Sequence, residues 1–181
     1  MTIDTKKIEQ AYSMILEAIG EDLNRDGLQD TPRRAAKMWN EFIDYDAGKL
    51  DTAFESVKTD QLIVVSNIKV WSLCEHHLLP FWCDISIGYI ATDKILGLSK
   101  FARISQNHAH KLQVQERLVD EIANDIARFT GSNDVAVIGK GEHLCMSMRG
   151  IKSPHVMTSS IMRGKFKELS DLRMEFLRLS K

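Results

Sequence analysis

Apolar residues recur at helical spacing near the start of the chain. Ile8, Ala11, Ile15, Ala18 and Ile19 share one face of a helix predicted over 5–19, with Thr5 as N-cap and Gly20 as the stop. The polar stretch 22–30, which contains Gly27, reads as a loop. A second helix then opens with Thr31 as expected N-cap and Pro32 at the first helical position, where a missing N–H is tolerated. Its apolar face is Ala35, Met38, Trp39 and Phe42.

From about Asp60 the period shortens to two. Residues 62–65 and 68–71 are rich in β-branched and aromatic side chains, and 84–90 alternates with Ile85, Ile87 and Tyr89 on one face. A helix is expected after Gly97 with Ser99 as its cap. Another is expected over about 113–129, with Val114, Leu118, Ile122, Ile126 and Phe129 facing inward. Strands are expected over 134–138, 142–148 and 156–162. Ser170 caps a last helix carrying Leu172, Phe176 and Leu179. No internal repeat is visible. The pattern predicts an α+β fold, with a helical N-terminal segment over 1–59 and a strand-rich body over 60–181.

Composition narrows the function. The 181 residues carry 24 Lys plus Arg against 25 Asp plus Glu, a formal net charge of -1, which argues against a sequence-blind nucleic-acid binder. No apolar run approaches membrane-spanning length, and the N-terminus lacks the apolar core of a signal peptide. Three cysteines, Cys74, Cys83 and Cys145, make a poor disulfide framework. A reducing, cytoplasmic setting is expected, with the thiols free for packing, metal or catalysis.

Cys74 and His77 stand three positions apart, so both can reach one ion from a single turn, and thiolate with imidazole is a favoured zinc donor set. Cys145, in His143-Leu144-Cys145, is a third candidate donor. Read as a strand, 143–149 puts His143, Cys145, Ser147 and Arg149 on one face and Leu144, Met146 and Met148 on the other. Three protein donors and an open position describe a catalytic zinc, which lowers the pKa of its water and supplies hydroxide near neutral pH. Were Cys83 a fourth donor, the site would be closed and structural. Its neighbours Phe81 and Trp82 favour a buried thiol instead. His76 and His143 are each open to a ligand, acid–base or structural role. His108, His110 and His155 lack such company and read as surface or packing residues.

Basic residues gather at two expected helix starts: Arg33, Arg34 and Lys37 in one, Lys100 and Arg103 in the other. Cations there oppose the helix dipole, and an anion bound nearby offsets that cost. With Arg149 beside the metal donors, they point to a polyphosphate ligand. Glu116, near the start of a helix, is either an ordinary first-turn carboxylate or an acceptor for the adjacent N–H donors of a guanine ring.

Five stretches carry a resemblance: DTPRRAAK at 30–37, SLCEHHLLPF at 72–81, GLSKFAR at 97–103, LQVQERL at 112–118 and EHLCMSMRG at 142–150. Together, and in order, they resemble GTP cyclohydrolase I over nearly the whole chain. The resemblance implies an enzyme that opens the imidazole ring of GTP, releases C8 as formate and rearranges the ribose to give 7,8-dihydroneopterin triphosphate. It implies zinc on Cys74, His77 and Cys145, with the zinc-activated water attacking C8. His143 would be the acid–base residue at the ring nitrogens, His76 would assist later proton transfers, and Ser99 would contact the opening ribose. Gln115 and Glu116 would hold the guanine. Lys100, Arg103 and Arg149 would hold the triphosphate, with Arg34 and Lys37 reaching it from a neighbouring subunit.

The implied fold is the tunnelling fold, an antiparallel sheet with two helices on one side. Subunit sheets join into a barrel, typically as a homodecamer of two pentamers, which removes exposed strand edges. Two departures stand out. Residues 105–111 are more polar than the aromatic–alanine–basic stretch usual in the family, with His110 where Arg is frequent, and the N-terminus is expected to be without the long extension of animal members. Two rivals share the expected fold: a non-catalytic nucleotide-binding or structural-zinc protein, and the nitrile reductase of queuosine synthesis, whose signature is not found.

Overall fold

A computed structural model describes residues 3–56 and 60–181. Their contacts divide the chain into two compact units, one ending at Tyr45 and one beginning at Asp46. This division precedes the 59/60 boundary expected from sequence. Residues following Asp46 join the second unit because β1 (Ala53–Glu55) pairs antiparallel with β4 (Lys94–Leu96). Residues 57–59, which flank the expected boundary, lie outside the described residues.

The first unit is a helix pair, α1 (Thr5–Ala18) and α2 (Thr31–Ile43). Both caps sit one residue earlier than expected. The Asp4 carboxylate, not Thr5, accepts from the Lys7 N–H at 3.0 Å. Asp30, not Thr31, is the N-cap of α2, with the Thr31 hydroxyl turned back to the Gly27 carbonyl at 3.1 Å. The Trp39 indole N–H donates to the Tyr12 hydroxyl at 2.7 Å and ties the two helices. Pro32 and Ala36 are buried, but Ile15, Ile19 and Met38 remain 52%, 68% and 43% exposed. Two short helices offer too little mutual surface to cover both apolar stripes.

The second unit is built on a five-stranded sheet in the order β5 (Leu112–Gln113), β2 (Gln61–Cys74), β3 (Pro80–Ala91), β6 (Val135–His143), β7 (Met157–Met162). Neighbours are antiparallel except β2 and β5, which pair parallel over two residues, so the sheet is mixed. The two β-rich runs at 62–65 and 68–71 are one strand. A register shift between Val65 and Ile68 interrupts it, and Asn67 there adopts a φ of 60°, a bulge that separates the runs in sequence only.

Alternation decides which side chains meet which helices. Phe81, Cys83, Ile85, Ile87 and Tyr89 of β3, with Val135 and Val137 of β6, face α3 (Leu98–Ala109) and α4 (Gln115–Thr130). Those helices return Phe101, Ile104, Leu118, Ile122 and Ile126, all buried. Burying such side chains stabilises by ~1.5–3 kcal/mol each. The opposite residues, Ile90, Ala136 and Ile138, pack with Phe166 of α6 (Lys165–Glu168) and Phe176 of α7 (Ser170–Leu179). A Cβ at Gly88 would fall 2.6 Å from the Phe176 ring, so this glycine lets the aromatic lie directly on the sheet. Helices therefore cover both faces, two on one side as expected and the C-terminal pair on the other.

Three local expectations are corrected. The N-cap of α3 is Gly97, with Ser99 already inside the first turn; the extended Gly97 backbone accepts from the Lys100 N–H at 2.8 Å. Leu179 is 53% exposed, because Phe176, with half-buried Leu172 and Leu177, fills the space under α7. Finally, 142–148 is not a strand: β6 stops at His143, and α5 (Leu144–Ser147) is a single helical turn. Among the described residues, no helix is long and apolar enough to cross a membrane.

Candidate active site

The site forms where the sheet runs out. β2 ends at Cys74 and β3 begins at Pro80, and the connection folds as a tight turn. The Cys74 carbonyl accepts from the N–H groups of both His77, at 3.3 Å, and Leu78, at 2.8 Å. One helical turn brings residues three apart to one side, so Cys74 Sγ and His77 Nδ1 lie 3.7 Å apart.

Cys145 arrives from β6. The last β3–β6 pair is Phe81 with His143, and Pro80, next along β3, has no N–H to offer. On the other side β7 begins at Met157, opposite Gly141. Past His143 the backbone has no ladder partner, so it closes its own bond, Met148 N–H to the Leu144 carbonyl at 3.0 Å. The strand-face grouping of His143, Cys145, Ser147 and Arg149 therefore gives way to a helical turn, and Cys145 swings over to the Cys74 turn.

Cys74, His77 and Cys145 have donor atoms that all lie within 4.8 Å of one another. A tetrahedral zinc with ordinary Zn–S and Zn–N lengths separates its donors by about 3.6–3.8 Å, so the set fits such an ion. Burial raises the Cys145 thiol pKa and the adjacent Cys74 raises it further, while Arg149 opposes them. A divalent cation bound there would offset the cost of ionising Cys145. Cys83 lies apart. It is fully buried against the helix-facing core, and burial, with Asp84 adding, pushes its thiol up to about 12.

The three donors open on a cavity of about 660 Å³. His76, Glu116, His143 and His155 also line it. His143 stacks on Phe81 with ring centres 4.4 Å apart and planes 5° from parallel, and its Nε2 meets Gln115 Oε1 at 3.1 Å. Burial lowers the pKa of His143, the neighbouring His155 lowers it further, and Glu116 opposes both. Glu116 is exposed in the first turn of α4, as a carboxylate there prefers. His76 is largely exposed, with its ring edge-on to His77 at 6.2 Å.

Cys74, His76, His77, Gln115, Glu116, His143 and Cys145 thus come together in one place. The expected basic residues are not among those that line this cavity. Lys100 Nζ donates to the Lys49 carbonyl and Arg103 Nη1 to the Ala47 carbonyl, each at 2.6 Å. Ser99 is exposed in the first turn of α3 and does not line the cavity. Arg149 lies in the turn after α5. Arg34 and Lys37 lie on α2 in the N-terminal unit, Arg34 donating to the Gly27 carbonyl at 3.1 Å and Lys37 paired with Glu41 at 3.4 Å.

Two features escape sequence reading. His155 belongs to the cavity wall, 6.4 Å from the His143 ring. It lies in the irregular stretch between α5 and β7, where no periodicity assigns a direction. Arg117 pairs with Glu75 beside Cys74 and donates to Gln113 Oε1 at 2.6 Å, while Gln113, fully buried, donates to Glu121 at 2.9 Å. This ladder ties the metal-donor turn to α4. The clustering of Gln113, Arg117 and Glu121 at helical spacing was its only sequence signal.

Comparison with known proteins agrees with the geometry. The family profile of GTP cyclohydrolase I matches residues 8–181. GTP cyclohydrolase 1 of Sulfurihydrogenibium sp. (strain YO3AOP1) is 47% identical over 181 residues, covering 99% of this chain and 96% of its own. The enzyme of that name from Hyperthermus butylicus is 45% identical over 180 residues, covering 99% and 92%. That of Aquifex aeolicus is 45% identical over 182 residues, covering 100% and 99%. A crystal structure of the archaeosine synthase QueF-Like in the apo form overlaps 57% of this chain and 95% of that one, at a TM-score of 0.43 and 14% identity, too distant to bear on function. With a family match that runs almost end to end and takes in every residue of the Cys–His–Cys cluster and its cavity, the chain belongs to the GTP cyclohydrolase I family.

Proposed function

We propose that this chain hydrolyses the imidazole ring of GTP, releasing C8 as formate and yielding 7,8-dihydroneopterin triphosphate, the first step of pterin biosynthesis. The observation that carries the reading is the convergence of three metal-donor atoms within 4.8 Å on a cavity that also holds His143 and Glu116. Cys74, His77 and Cys145 would hold zinc, which supplies Lewis-acid chemistry at the purine C8.

The protein's own groups do the rest. The lowered pKa of His143 keeps its imidazole neutral near pH 7, ready to take a proton and return it to a ring nitrogen. Exposed His76, beside His77, is free to shuttle protons in the later rearrangement. Glu116 offers a carboxylate to the paired N–H donors of guanine. Ser99 contacts the ribose, and Lys100, Arg103 and Arg149 take the triphosphate, joined by Arg34 and Lys37 of a neighbouring subunit. Ser99, Lys100 and Arg103 stand away from the cavity lining of the single chain, which supports a site completed between subunits. The matching assembly joins tunnelling-fold sheets into a barrel, as a cytoplasmic homodecamer.

The test is incubation with GTP and zinc, followed for formate and for a fluorescent pterin after oxidation. Stoichiometric appearance of both is expected. Intact GTP, or release of phosphate without formate, overturns the reading.

A further inference from the structure

Gln115 was expected to contact guanine, yet its side chain is fully buried and fully engaged by protein. Nε2 lies 3.0 Å from the Gly139 carbonyl, 3.1 Å from the Met157 carbonyl and 3.1 Å from Ser159 Oγ. Carbonyl oxygens only accept, so the amide end facing two of them must be the NH2 end. That fixes Oε1 toward His143 Nε2 at 3.1 Å. An amide oxygen also only accepts, so His143 Nε2 must carry a hydrogen. The Phe81 ring, stacked at 4.4 Å, holds the imidazole plane. Nδ1 is the remaining nitrogen, and no hydrogen bond reaches it from the described residues. The backbone reserves room for this amide: a Cβ at Gly141 would sit 2.9 Å from Gln115 Oε1 and 2.2 Å from the Trp82 carbonyl oxygen.

We propose that Gln115 is a positioning residue that fixes His143 as the Nε2–H tautomer and presents Nδ1 to the substrate, without touching the guanine itself. The inference rests on the reading of His143 as the proton-transfer residue in GTP ring opening. Nδ1 is then the atom that accepts and returns the proton, and Glu116 alone of the pair binds the base.

The zinc-loaded full chain and its Gln115→Met, Gln115→Glu and Glu116→Ala variants test this. Zinc content, kcat, KM and the ring 15N–13C correlations of labelled histidine are measured at about pH 8, where imidazole is neutral. His143 is identified by the signal lost in His143→Asn. The parent should show hydrogen on Nε2. Gln115→Met should retain zinc, lose about 100-fold in kcat, as misplacement of a catalytic group does, and keep KM within about twofold. In Gln115→Glu the buried acid is neutral, its C=O accepts from Nε2–H and its O–H donates to a backbone carbonyl. That variant should keep the parent tautomer and recover most of the kcat.

Hydrogen on Nδ1 in the parent overturns the proposal. So does a Gln115→Met or Gln115→Glu variant whose KM rises as much as that of Glu116→Ala while kcat holds. If Gln115→Met loses its fold, the parent spectrum and Gln115→Glu still decide. A parent that releases no formate from GTP overturns the functional reading, and the tautomer spectrum still tests the Gln115–His143 geometry independently.

Discussion

Replacing Cys145 by Ser should weaken zinc binding by about two to three orders of magnitude. Structural zinc sites with four donors bind with ~10–16 kcal/mol, so one donor is worth ~2.5–4 kcal/mol, a factor of roughly 10² to 10³. In the proposed site Cys145 is one of three protein donors among the described residues, all within 4.8 Å, and its loss would leave Cys74 and His77, 3.7 Å apart, to hold the ion. Serine keeps the volume and removes the thiolate, so packing around α5 is little disturbed. The assay is competition for zinc between the protein and a chromophoric chelator, with bound metal counted after dialysis. Cys83→Ser is the control. That thiol lies in the core, with its pKa pushed up to about 12 by burial, and its loss should leave zinc affinity unchanged. Full zinc occupancy in Cys145→Ser, or zinc loss in Cys83→Ser, would refute the assignment of donors.

Three further outcomes are expected. Burial, helped by His155, holds the His143 pKa down, so the acid limb of kcat/KM should lie below the free-histidine range of about 6.5, with activity present above the limb and lost as pH falls through it; a limb above that range contradicts the role. His155→Ala should raise KM for GTP about fivefold, the worth of one hydrogen bond, with zinc content unchanged, and an unaltered KM would remove His155 from the substrate wall. Phe176→Ala should lower unfolding stability by ~3–5 kcal/mol in urea titration, because the ring is fully buried on Gly88; a cost under about 1 kcal/mol would mean α7 does not seal that face.

Much of the fold was legible because its signals are local. The alternation of Ile85, Ile87 and Tyr89, all fully buried, placed β3, and Leu118, Ile122 and Ile126 at helical spacing placed α4. The N-caps fall one or two residues before Thr5, Thr31 and Ser99, since each hydroxyl competes on sequence with a nearby Asp or Gly and only backbone geometry chooses. The apolar stripe of α1 was legible too, but not how much of it is covered, because burial depends on what lies opposite.

The 143–149 stretch departs from its strand-like pattern for a deeper reason. Its alternation of His143, Cys145, Ser147 and Arg149 against Leu144, Met146 and Met148 is as regular as that of a true strand. Whether a strand continues depends on its neighbours, and here β3 starts at Pro80 and β7 starts opposite Gly141. The ladder ends and the chain coils. The same ending gathers the chemistry. Leu73 pairs with Leu112 and Cys74 with Gln113, so β5 delivers Gln115 beside the end of β2. Phe81 pairs with His143, so β6 delivers the histidine beside the start of β3. Cys74 and His143 are the last residues of β2 and β6, and Gln115 and Cys145 each lie two residues past the end of a strand. A single register slip in β3–β6 would turn the His143 ring to the opposite face, away from Gln115 and the cavity. The register that buries Ile85 and Ile87 is therefore the same constraint that aims His143, and fold stability and site geometry are set by one pairing.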